Sequence, residues 1–242
     1  MTILVISDIH ANRTALEAVL EDAGSFDEVW CLGDVVGYGP DPNSCVEIVR
    51  DLPDLICLRG NHDSAVAGLA ENTKFNPNAQ KALEWTEREL NAGNTTYIKE
   101  LPTHTEIDEV TLAHGSPRDP VWEYIMDPYT ATANFDYFST PFCLVGHSHI
   151  PFLYVFQNEE ELADKRVLEL GEAMELPSRS LLNPGSVGQP RDNDPRASYA
   201  LFEPEKRTWI LHRVAYDVEA VQARMKESGL PLTYIQRIAH GW

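Results

Sequence analysis

Five short polar motifs in the sequence each follow an apolar stretch, and together they concentrate side chains that bind metal ions. The motifs are Asp8-Ile9-His10, Gly33-Asp34, Gly60-Asn61-His62-Asp63, His114-Gly115 and Gly146-His147-Ser148-His149. Taken singly, each has an ordinary explanation as a helix cap, a turn or a surface histidine. Five of the 8 histidines of the chain lie in these motifs, and packing alone does not explain that concentration. The sequence therefore predicts one shared site.

The motifs offer carboxylate, imidazole and amide oxygen ligands but no thiolate. The cysteines, Cys31, Cys45, Cys57 and Cys143, have no CxxC spacing, which argues against a zinc site built on cysteine. The donor set suits borderline or hard divalent ions and is too large for one ion. Two ions about 3.5–4 Å apart would use the whole set if one carboxylate bridged them. Such a pair binds a phosphoryl group and acidifies a bridging water into a nucleophile.

The N-terminal part of the chain alternates between predicted strands and helices. Apolar strands are predicted at 2–6, 29–32 and 55–58, and helices follow the capping residues Asn12 and Asp41-Pro42. This alternation predicts an α/β fold with a parallel sheet covered on both faces. Ligands bind at the carboxyl ends of such strands, so we expect the motifs to meet at that edge of the sheet.

The remaining sequence changes from mixed to antiparallel patterns. A helix is expected from Asn76-Pro77 to about residue 91, another opens at Asp127-Pro128, and strands are expected at 106–107, 109–113 and 141–145. Later strands at 152–156, 166–170, 180–182, 198–203 and 208–214 are joined by short turns and indicate antiparallel pairing. Helices are predicted at 217–226 and 232–239. Because no repeat or convincing linker interrupts the pattern, residues 1–242 are expected to form a single domain.

The formal net charge of -19, from 38 acidic and 19 basic residues, limits the partners that we expect. Nucleic acids and anionic membranes bind clustered Lys and Arg, so neither is an expected partner. An acidic protein can still bind a small phosphorylated substrate if metal ions supply local positive charge. The sequence shows no basic-then-apolar start and no run of about 18 apolar residues, so we expect a cytoplasmic protein. The sequence does not decide whether the chain forms a homo-oligomer through the later antiparallel strands or the last helix.

In type and order, the five motifs resemble the calcineurin-like metallophosphoesterase superfamily. Within it, Gly37-Tyr38-Gly39-Pro40-Asp41-Pro42-Asn43 and Asn183-Pro184-Gly185-Ser186-Val187-Gly188 are similar to a compact bacterial and archaeal group. That group is labelled by analogy with a small phosphodiesterase or a diadenosine tetraphosphatase. The resemblance implies a four-layer αββα sandwich, in which two mixed sheets are flanked by helices and a dinuclear metal site lies at the carboxyl-terminal edge of the strands.

The resemblance also implies roles for individual residues. One divalent ion would be bound by Asp8, His10, Asp34 and His149. The other would be bound by Asp34, Asn61, His114 and His147, which makes Asp34 the bridging ligand. His62 would bind no metal and would instead protonate the leaving oxygen or contact the phosphate. The cofactors expected are two divalent ions, with manganese, iron, zinc, nickel and cobalt all left open.

The sequence departs from the related Ser/Thr phosphoprotein phosphatases after Gly33-Asp34. Those enzymes continue through an Asp and an Arg that orient the catalytic histidine and bind phosphate, whereas this chain continues as Val35-Val36-Gly37-Tyr38-Gly39. Phosphoprotein phosphatase activity is therefore disfavoured, and Asp63 becomes a candidate to orient His62. Substrate contacts are expected from Asn12 and Arg191, for which a cap, turn or surface role is the alternative.

The sequence thus predicts a dinuclear metal-dependent phosphoesterase that hydrolyses phosphodiesters or small phosphorylated substrates through a metal-bridging hydroxide. A symmetric dinucleoside polyphosphate hydrolase is an alternative within the same class. A non-catalytic binding scaffold with the same fold is another, but such a protein would be expected to lose metal ligands or His62, and here every one of those positions is filled. A nuclease lacks support because no basic or aromatic-rich stretch suggests a nucleic-acid groove.

Overall fold

A computed structural model gives the arrangement of the elements and describes residues 1–158 and 160–242. In that part of the chain twelve strands form two six-stranded sheets. The strands are β1 (Ile3–Ile6), β2 (Glu28–Cys31), β3 (Leu55–Cys57), β4 (His104–Ile107), β5 (Val110–Ala113), β6 (Phe142–Leu144), β7 (Phe152–Val155), β8 (Asp164–Arg166), β9 (Met174–Glu175), β10 (Ser180–Asn183), β11 (Ala197–Glu203) and β12 (Thr208–Val214). The α-helices of the same residues are α1 (Arg13–Asp22), α2 (Pro42–Arg50), α3 (Asn61–Val66), α4 (Pro77–Glu89), α5 (Ala92–Glu100), α6 (Pro128–Asn134), α7 (Val218–Glu227) and α8 (Leu232–His240).

Both sheets mix parallel and antiparallel strands. The first has the order β3-β2-β1-β11-β12-β9, with β1, β2 and β3 parallel and β11 antiparallel to β1. The second has the order β4-β5-β6-β10-β7-β8, with β5, β6 and β10 parallel. The motif-bearing strand ends are divided between them, since β1, β2 and β3 lie in the first sheet and β5 and β6 in the second. The alternation of strands and helices predicted that all five motifs would lie at the edge of one sheet. In the structure they lie where the edges of two stacked sheets meet.

The two sheets face each other across one apolar core, and helices cover their outer faces. Val5 of β1 points between the sheets and shares a buried cluster with Leu112 of β5 and Leu144 of β6. Its neighbour Leu4 points the other way and packs with Leu16 of α1, because successive strand residues face opposite sides. Helix α6 covers the outer face of the second sheet. These layers form the four-layer αββα sandwich that the resemblance implied.

Helices α4, α7 and α8 form a further apolar cluster beside the strand ends. Met225 of α7 and Ile238 of α8 are buried there together with Tyr38, which lies in the loop after β2. Arg224 of α7 fastens the cluster to the rest of the fold, since its Nε and Nη2 donate hydrogen bonds to the two carboxylate oxygens of Asp41 at 3.1 and 2.9 Å. The C-terminal helices therefore contact the loop that follows the second motif.

Most helix starts lie where the sequence predicted them. The side chains of Asn12, Asn76 and Asp127 accept hydrogen bonds from backbone amides of the first turn of α1, α4 and α6. Asp41 precedes α2 as predicted, but its carboxylate binds Arg224 instead of capping the helix. Among the described residues, no helix is long and apolar enough to cross a membrane.

Several elements differ from the prediction. Helix α3 begins at Asn61, inside the third motif, where no helix was predicted. Helix α5, between α4 and β4, was not predicted either. Strand β8 lies at Asp164–Arg166 instead of 166–170, and the short β9 was not expected. None of these differences separates the motif residues from one another.

Candidate metal centre

The side chains predicted to bind metal lie together where the two sheet edges meet. Three groups of potential ligands each have their donor atoms within 4.8 Å of one another: Asp8, His10 and His149; Asp34, His114 and His147; and His10, Asp34 and His62. All of these residues are buried. The first two groups follow the division between two ions that the resemblance implied, and the third places His62 beside the carboxylate that they would share.

The ligands leave the strands in sharp turns with left-handed backbone. Positive φ angles occur at Asp8 (53°), His10 (49°), Asp34 (54°), His147 (64°) and His149 (60°). Such angles are uncommon outside glycine and cost of order 1 kcal/mol or more each, so they persist only where the surrounding structure imposes them. Their concentration at five predicted ligands shows that the chain bends at each strand end to direct these side chains into the site.

Asp8, His10 and His149 form the first group around one free carboxylate oxygen. Oδ1 of Asp8 is 3.3 Å from Nε2 of His149 and 3.7 Å from Nε2 of His10. The other oxygen, Oδ2, accepts hydrogen bonds from the Ser7 hydroxyl at 2.7 Å and the His147 amide at 3.0 Å. Those bonds fix the carboxylate and leave Oδ1 buried without a hydrogen-bond partner.

In the second group, Asp34 and Asn61 both lie close to Nε2 of His114. Oδ2 of Asp34 is 3.4 Å from Nε2 of His114 and 3.7 Å from Nε2 of His10, and it too is buried without a hydrogen-bond partner. Oδ1 of Asn61, at the start of α3, lies 3.1 Å from the same His114 nitrogen. The free oxygen of Asp34 is therefore the atom that lies between the two groups.

Backbone carbonyls set which ring nitrogen each histidine turns toward the site. Nδ1 of His10, His114 and His149 contacts the carbonyl oxygens of Val36 at 3.2 Å, Leu32 at 2.8 Å and Gln189 at 2.6 Å, respectively. A carbonyl only accepts, so Nδ1 of each ring carries a proton and Nε2 is the nitrogen that faces the site. In a neutral ring, Nε2 then presents a lone pair. His147 is reversed, because its Nε2 contacts the Trp122 carbonyl at 3.2 Å and Nδ1 is the nitrogen left free.

This arrangement fits bound cations. Nε2 of His10 and Nε2 of His149 lie 3.1 Å apart with their lone pairs facing each other, which is unfavourable unless a cation lies near both. The free oxygens of Asp8 and Asp34 are buried beside them, and a buried carboxylate oxygen without a partner is costly. Orphaned oxygens and converging lone pairs are what a pair of divalent ions would satisfy.

The pKa shifts follow from burial and from the attraction between the two groups. Burial lowers the pKa of His10, His147 and His149 well below the usual value, so these rings are neutral and able to bind a cation. Burial also lowers the pKa of His114, but attraction to Asp34 outweighs it and raises that pKa to about 9. Burial raises the pKa of the Asp8 carboxyl to about 7 against the attraction of His114. A cation bound at Asp34 would therefore displace the His114 proton.

His62 lies beside the groups and is held by packing. Its ring centroid is 4.3 Å from that of Tyr38, 4.8 Å from Phe75 and 4.9 Å from His10. Its Nδ1 is buried without a hydrogen-bond partner, and a Cβ added to Gly37 would lie 2.6 Å from that atom. The loop glycine thus makes room for the imidazole, and aromatic rings set its orientation.

Asp63, the candidate to orient the His62 ring, uses its carboxylate for backbone amides instead. Its carboxylate accepts hydrogen bonds from the backbone amides of Val36 at 3.1 Å, Val35 at 3.3 Å and Gly60 at 3.0 Å. These bonds cap α3 and tie it to the loop that carries Asp34. Asp63 therefore joins the loop that carries Asp34 to the start of α3, and both of its carboxylate oxygens are used in these hydrogen bonds.

The two predicted substrate contacts lie in different settings. Asn12 uses its side chain inside the protein, because Oδ1 accepts from the Ala15 amide at 3.1 Å and Nδ2 donates to the Gly188 carbonyl at 3.0 Å. The capping alternative is therefore confirmed for Asn12. The backbone amide of Arg191 donates to the His149 carbonyl at 3.3 Å, and its guanidinium lies 5.9 Å from the Tyr38 ring. Arg191 is thus beside the site, as its predicted role requires.

Two aromatic residues of the site were not singled out from the sequence. The ring of Tyr124 stacks on His147 with centroids 3.8 Å apart, and the Trp122 carbonyl binds the same imidazole. Both lie in an irregular segment after β5, where no periodic pattern marks them. The one available signal is the pair of aromatic residues shortly after the His114 motif.

Comparisons with known proteins show the family to which the chain belongs. The family model for the calcineurin-like phosphoesterase superfamily domain matches residues 1–207. A metallophosphoesterase from Sphaerobacter thermophilus of known structure is 46% identical, covers 100% of this chain and 99% of its own, and has a TM-score of 0.91. An uncharacterized protein of Methanocaldococcus jannaschii is 38% identical over 237 residues, which are 95% of this chain and 93% of that protein. A symmetrical bis(5'-nucleosyl)-tetraphosphatase of Thioalkalivibrio sulfidiphilus is 36% identical over 67 residues, which are 26% of this chain and 25% of that protein. The chain therefore belongs to the calcineurin-like phosphoesterase superfamily.

Proposed function

We propose that the protein is a metal-dependent phosphoesterase that hydrolyses phosphodiesters or small phosphorylated molecules. The observation that carries this proposal is the paired ligand geometry, in which one free oxygen of Asp34 lies between two groups of buried ligands. Asp8, His10, Asp34 and His149 would hold one divalent ion, and Asp34, Asn61, His114 and His147 the other. When bound, two such ions would polarise a phosphoryl group and lower the pKa of water.

The protein's own groups prepare the site for this chemistry. Three histidines are locked by carbonyl oxygens with Nε2 inward, so little ring reorientation is needed on binding. The amide of His147 and the hydroxyl of Ser7 hold the Asp8 carboxylate, so its free oxygen is fixed in place. Preorganised ligands of this kind support catalysis because no further reorganisation is required in the transition state.

His62 is the group proposed to transfer a proton to the leaving oxygen. Among the described residues, no protein group forms a hydrogen bond with its imidazole, so the ring is free to exchange a proton. Burial lowers the pKa of His62 to about 4, so the ring is neutral in the protein alone. An anionic phosphoryl group beside the ring favours the charged imidazolium and raises this pKa toward the working pH. Substrate binding would thus bring the general acid into its proton-carrying form.

A metal-reconstitution assay tests the proposal. The purified protein is treated with a chelator, and Mn²⁺, Ni²⁺, Co²⁺ or Zn²⁺ is added back before p-nitrophenyl phosphate and bis(p-nitrophenyl) phosphate are supplied. We expect metal-dependent turnover of at least one ester. A folded protein that hydrolyses neither ester with any of these ions would refute the enzymatic proposal and favour a binding scaffold.

A symmetric dinucleoside polyphosphate hydrolase is a second candidate. The observation in its favour is the 36% identity over 67 residues to the symmetrical bis(5'-nucleosyl)-tetraphosphatase of Thioalkalivibrio sulfidiphilus. Incubation with diadenosine tetraphosphate separates the two candidates by product. Symmetric cleavage to two molecules of ADP, at a rate above that for simple diesters, would favour the second candidate.

A further inference from the structure

Two arginines and a glutamine beside the proposed metal centre have hydrogen-bond donors without a partner among the described residues. Arg191 follows β10 by a short loop, Gln189 lies two residues before it, and Arg237 belongs to α8. Nε of both arginines and Nε2 of Gln189 are buried without a hydrogen-bond partner. Gln189 is 1% exposed, so its amide nitrogen is withdrawn from bulk solvent as well. Buried donors of this kind are costly unless an acceptor binds them.

The two guanidinium groups converge on one acceptor. Nη2 of Arg191 lies 3.1 Å from Oε1 of Gln189, and Nη1 of Arg237 lies 3.5 Å from the same oxygen. In residues 1–158 and 160–242 neither arginine forms an ion pair, whereas Arg213 and Arg224 bind Asp192 and Asp41. Two positive charges close together without a carboxylate are unusual in a protein with a net charge of -19. The repulsion between them favours an anion between them.

Aromatic rings connect these arginines to the metal centre. The Arg237 guanidinium lies 5.3 Å from the Tyr234 ring, and Tyr234 is 4.4 Å from Tyr38. Tyr38 in turn lies 4.3 Å from His62 and 5.9 Å from the Arg191 guanidinium. One aromatic ring therefore separates Arg191 from the proposed acid, and two rings separate Arg237 from it.

We propose that Arg191, Gln189 and Arg237 form an anion subsite that binds a second phosphoryl group of the substrate. The inference rests on the proposed phosphoesterase function and narrows its substrate class to molecules that carry two phosphoryl groups. Guanidinium groups bind phosphate oxygens through charge-assisted hydrogen bonds, and they match that planar, bidentate geometry better than lysine does. The subsite would hold the second phosphoryl group while the first lies at the metal centre, which fixes the substrate's orientation.

Calorimetric binding to the full-length, Mn²⁺-loaded protein tests the subsite without requiring turnover. Inorganic pyrophosphate carries two linked phosphoryl groups and orthophosphate carries one, and both are titrated at the same constant excess of free Mn²⁺. In Arg237→Met, which keeps an apolar stem against Tyr234, we expect the Kd of pyrophosphate to rise about tenfold or more. The Kd of orthophosphate should change far less, because one phosphoryl group can bind at the metal centre alone.

Two further variants complete the comparison. Arg237→Lys should restore part of the pyrophosphate affinity, because it returns the charge without the second donor. Arg88→Met removes an exposed arginine of α4 and should leave both Kd values unchanged, which controls for net charge and for chelation of Mn²⁺.

The outcomes separate the subsite from the function on which it rests. Equal changes for the two anions in Arg237→Met, or no change for either, would overturn the subsite. If the protein hydrolyses simple esters but Arg237→Met affects both anions equally, only the subsite is refuted. If Arg237→Met weakens pyrophosphate binding alone but the protein hydrolyses no ester, the subsite is supported as a binding site and the proposed activity is refuted.

Discussion

The backbone amide of His62 donates a hydrogen bond of 2.9 Å to Oδ1 of Asp34. One oxygen of this carboxylate is thereby used within the protein, and the other is left facing His10 at 3.7 Å and His114 at 3.4 Å. The bond also ties the start of α3 to the loop after β2. A single atom, Oδ2 of Asp34, is therefore the one available to be shared by two ions.

Replacing this carboxylate should empty both proposed ion sites together. In Asp34→Asn the side-chain oxygen must still accept from the His62 amide, so the NH2 group would face the histidines in place of Oδ2. We expect the affinity for both ions to fall more than about 100-fold. Elemental analysis after dialysis measures the metal content. Asp108→Asn, at an exposed turn residue with φ of 49°, is the control and should keep the wild-type content.

Removing the His62 imidazole should slow turnover without emptying the site. In His62→Ala we expect wild-type metal content but a loss of about 100-fold or more for substrates with alkyl leaving groups, since general acids contribute in that range. The loss should be smaller for p-nitrophenyl esters, whose leaving group needs less protonation. Kinetics across a series of leaving groups measure this. An equal loss throughout the series would argue against proton transfer. The matched control is His104→Ala, at an exposed position on β4, which should keep the wild-type rate.

A methyl group at Gly60 should clash with both the carboxylate and the backbone nitrogen of Asp34, the latter at 2.6 Å. Gly60 has φ of -85°, which any residue adopts, but an added Cβ would lie 2.0 Å from Oδ1 of Asp34. We expect Gly60→Ala to lower the free energy of unfolding by about 1–3 kcal/mol and to reduce metal content.

Gly93→Ala provides the comparison, since Gly93 lies within α5 and its added Cβ would meet only Asn91 at 3.4 Å. That variant should gain about 0.5–1 kcal/mol. Urea denaturation measures both values, and a neutral Gly60→Ala would show that Asp34 can move.

Arg224 should stabilise the attachment of the C-terminal helices. Its guanidinium contacts both oxygens of Asp41 and also donates to the Thr14 hydroxyl at 2.7 Å, a combination that one ammonium group cannot reproduce. We expect Arg224→Lys to lower the free energy of unfolding by about 1 kcal/mol. Arg50→Lys is the control, since Arg50 and Asp51 form an exposed ion pair at 3.7 Å that should contribute almost nothing. Equal effects in urea denaturation would contradict this role.

The sequence predicted which side chains gather at the site because each motif is local. Asp8 and His10 directly follow a buried strand, and the chain order of the motifs requires no knowledge of tertiary contacts. Its account of His147 and His149 was incomplete. Both residues have positive φ and turn toward different groups, which the motif itself does not show. Turn conformations of this kind depend on tertiary contacts, such as the bond from the His147 amide to Asp8.

Helix α5 and the role of Asp63 show the limit of local patterns. The start of α5 reads Ala92-Gly93-Asn94-Thr95-Thr96, which contains poor helix formers. The helix forms because Asn91 caps it and Ile98 is buried in the core beneath it. Asp63 was a candidate to orient a histidine, but the amides of Val35 and Val36 in the loop after β2 occupy its oxygens. Only the folded chain brings those amides near.

The last helix brings Arg237 of the proposed anion subsite from a stretch of the chain that holds none of the proposed metal ligands. Every proposed metal ligand lies between Asp8 and His149, whereas α8 starts at Leu232, beyond the residues that the family model matches. Tyr234 of that helix packs on Tyr38 and so reaches the site from outside the catalytic core. Natural or engineered exchange of the C-terminal segment could therefore alter which molecules are accepted while the ion-binding machinery is inherited unchanged.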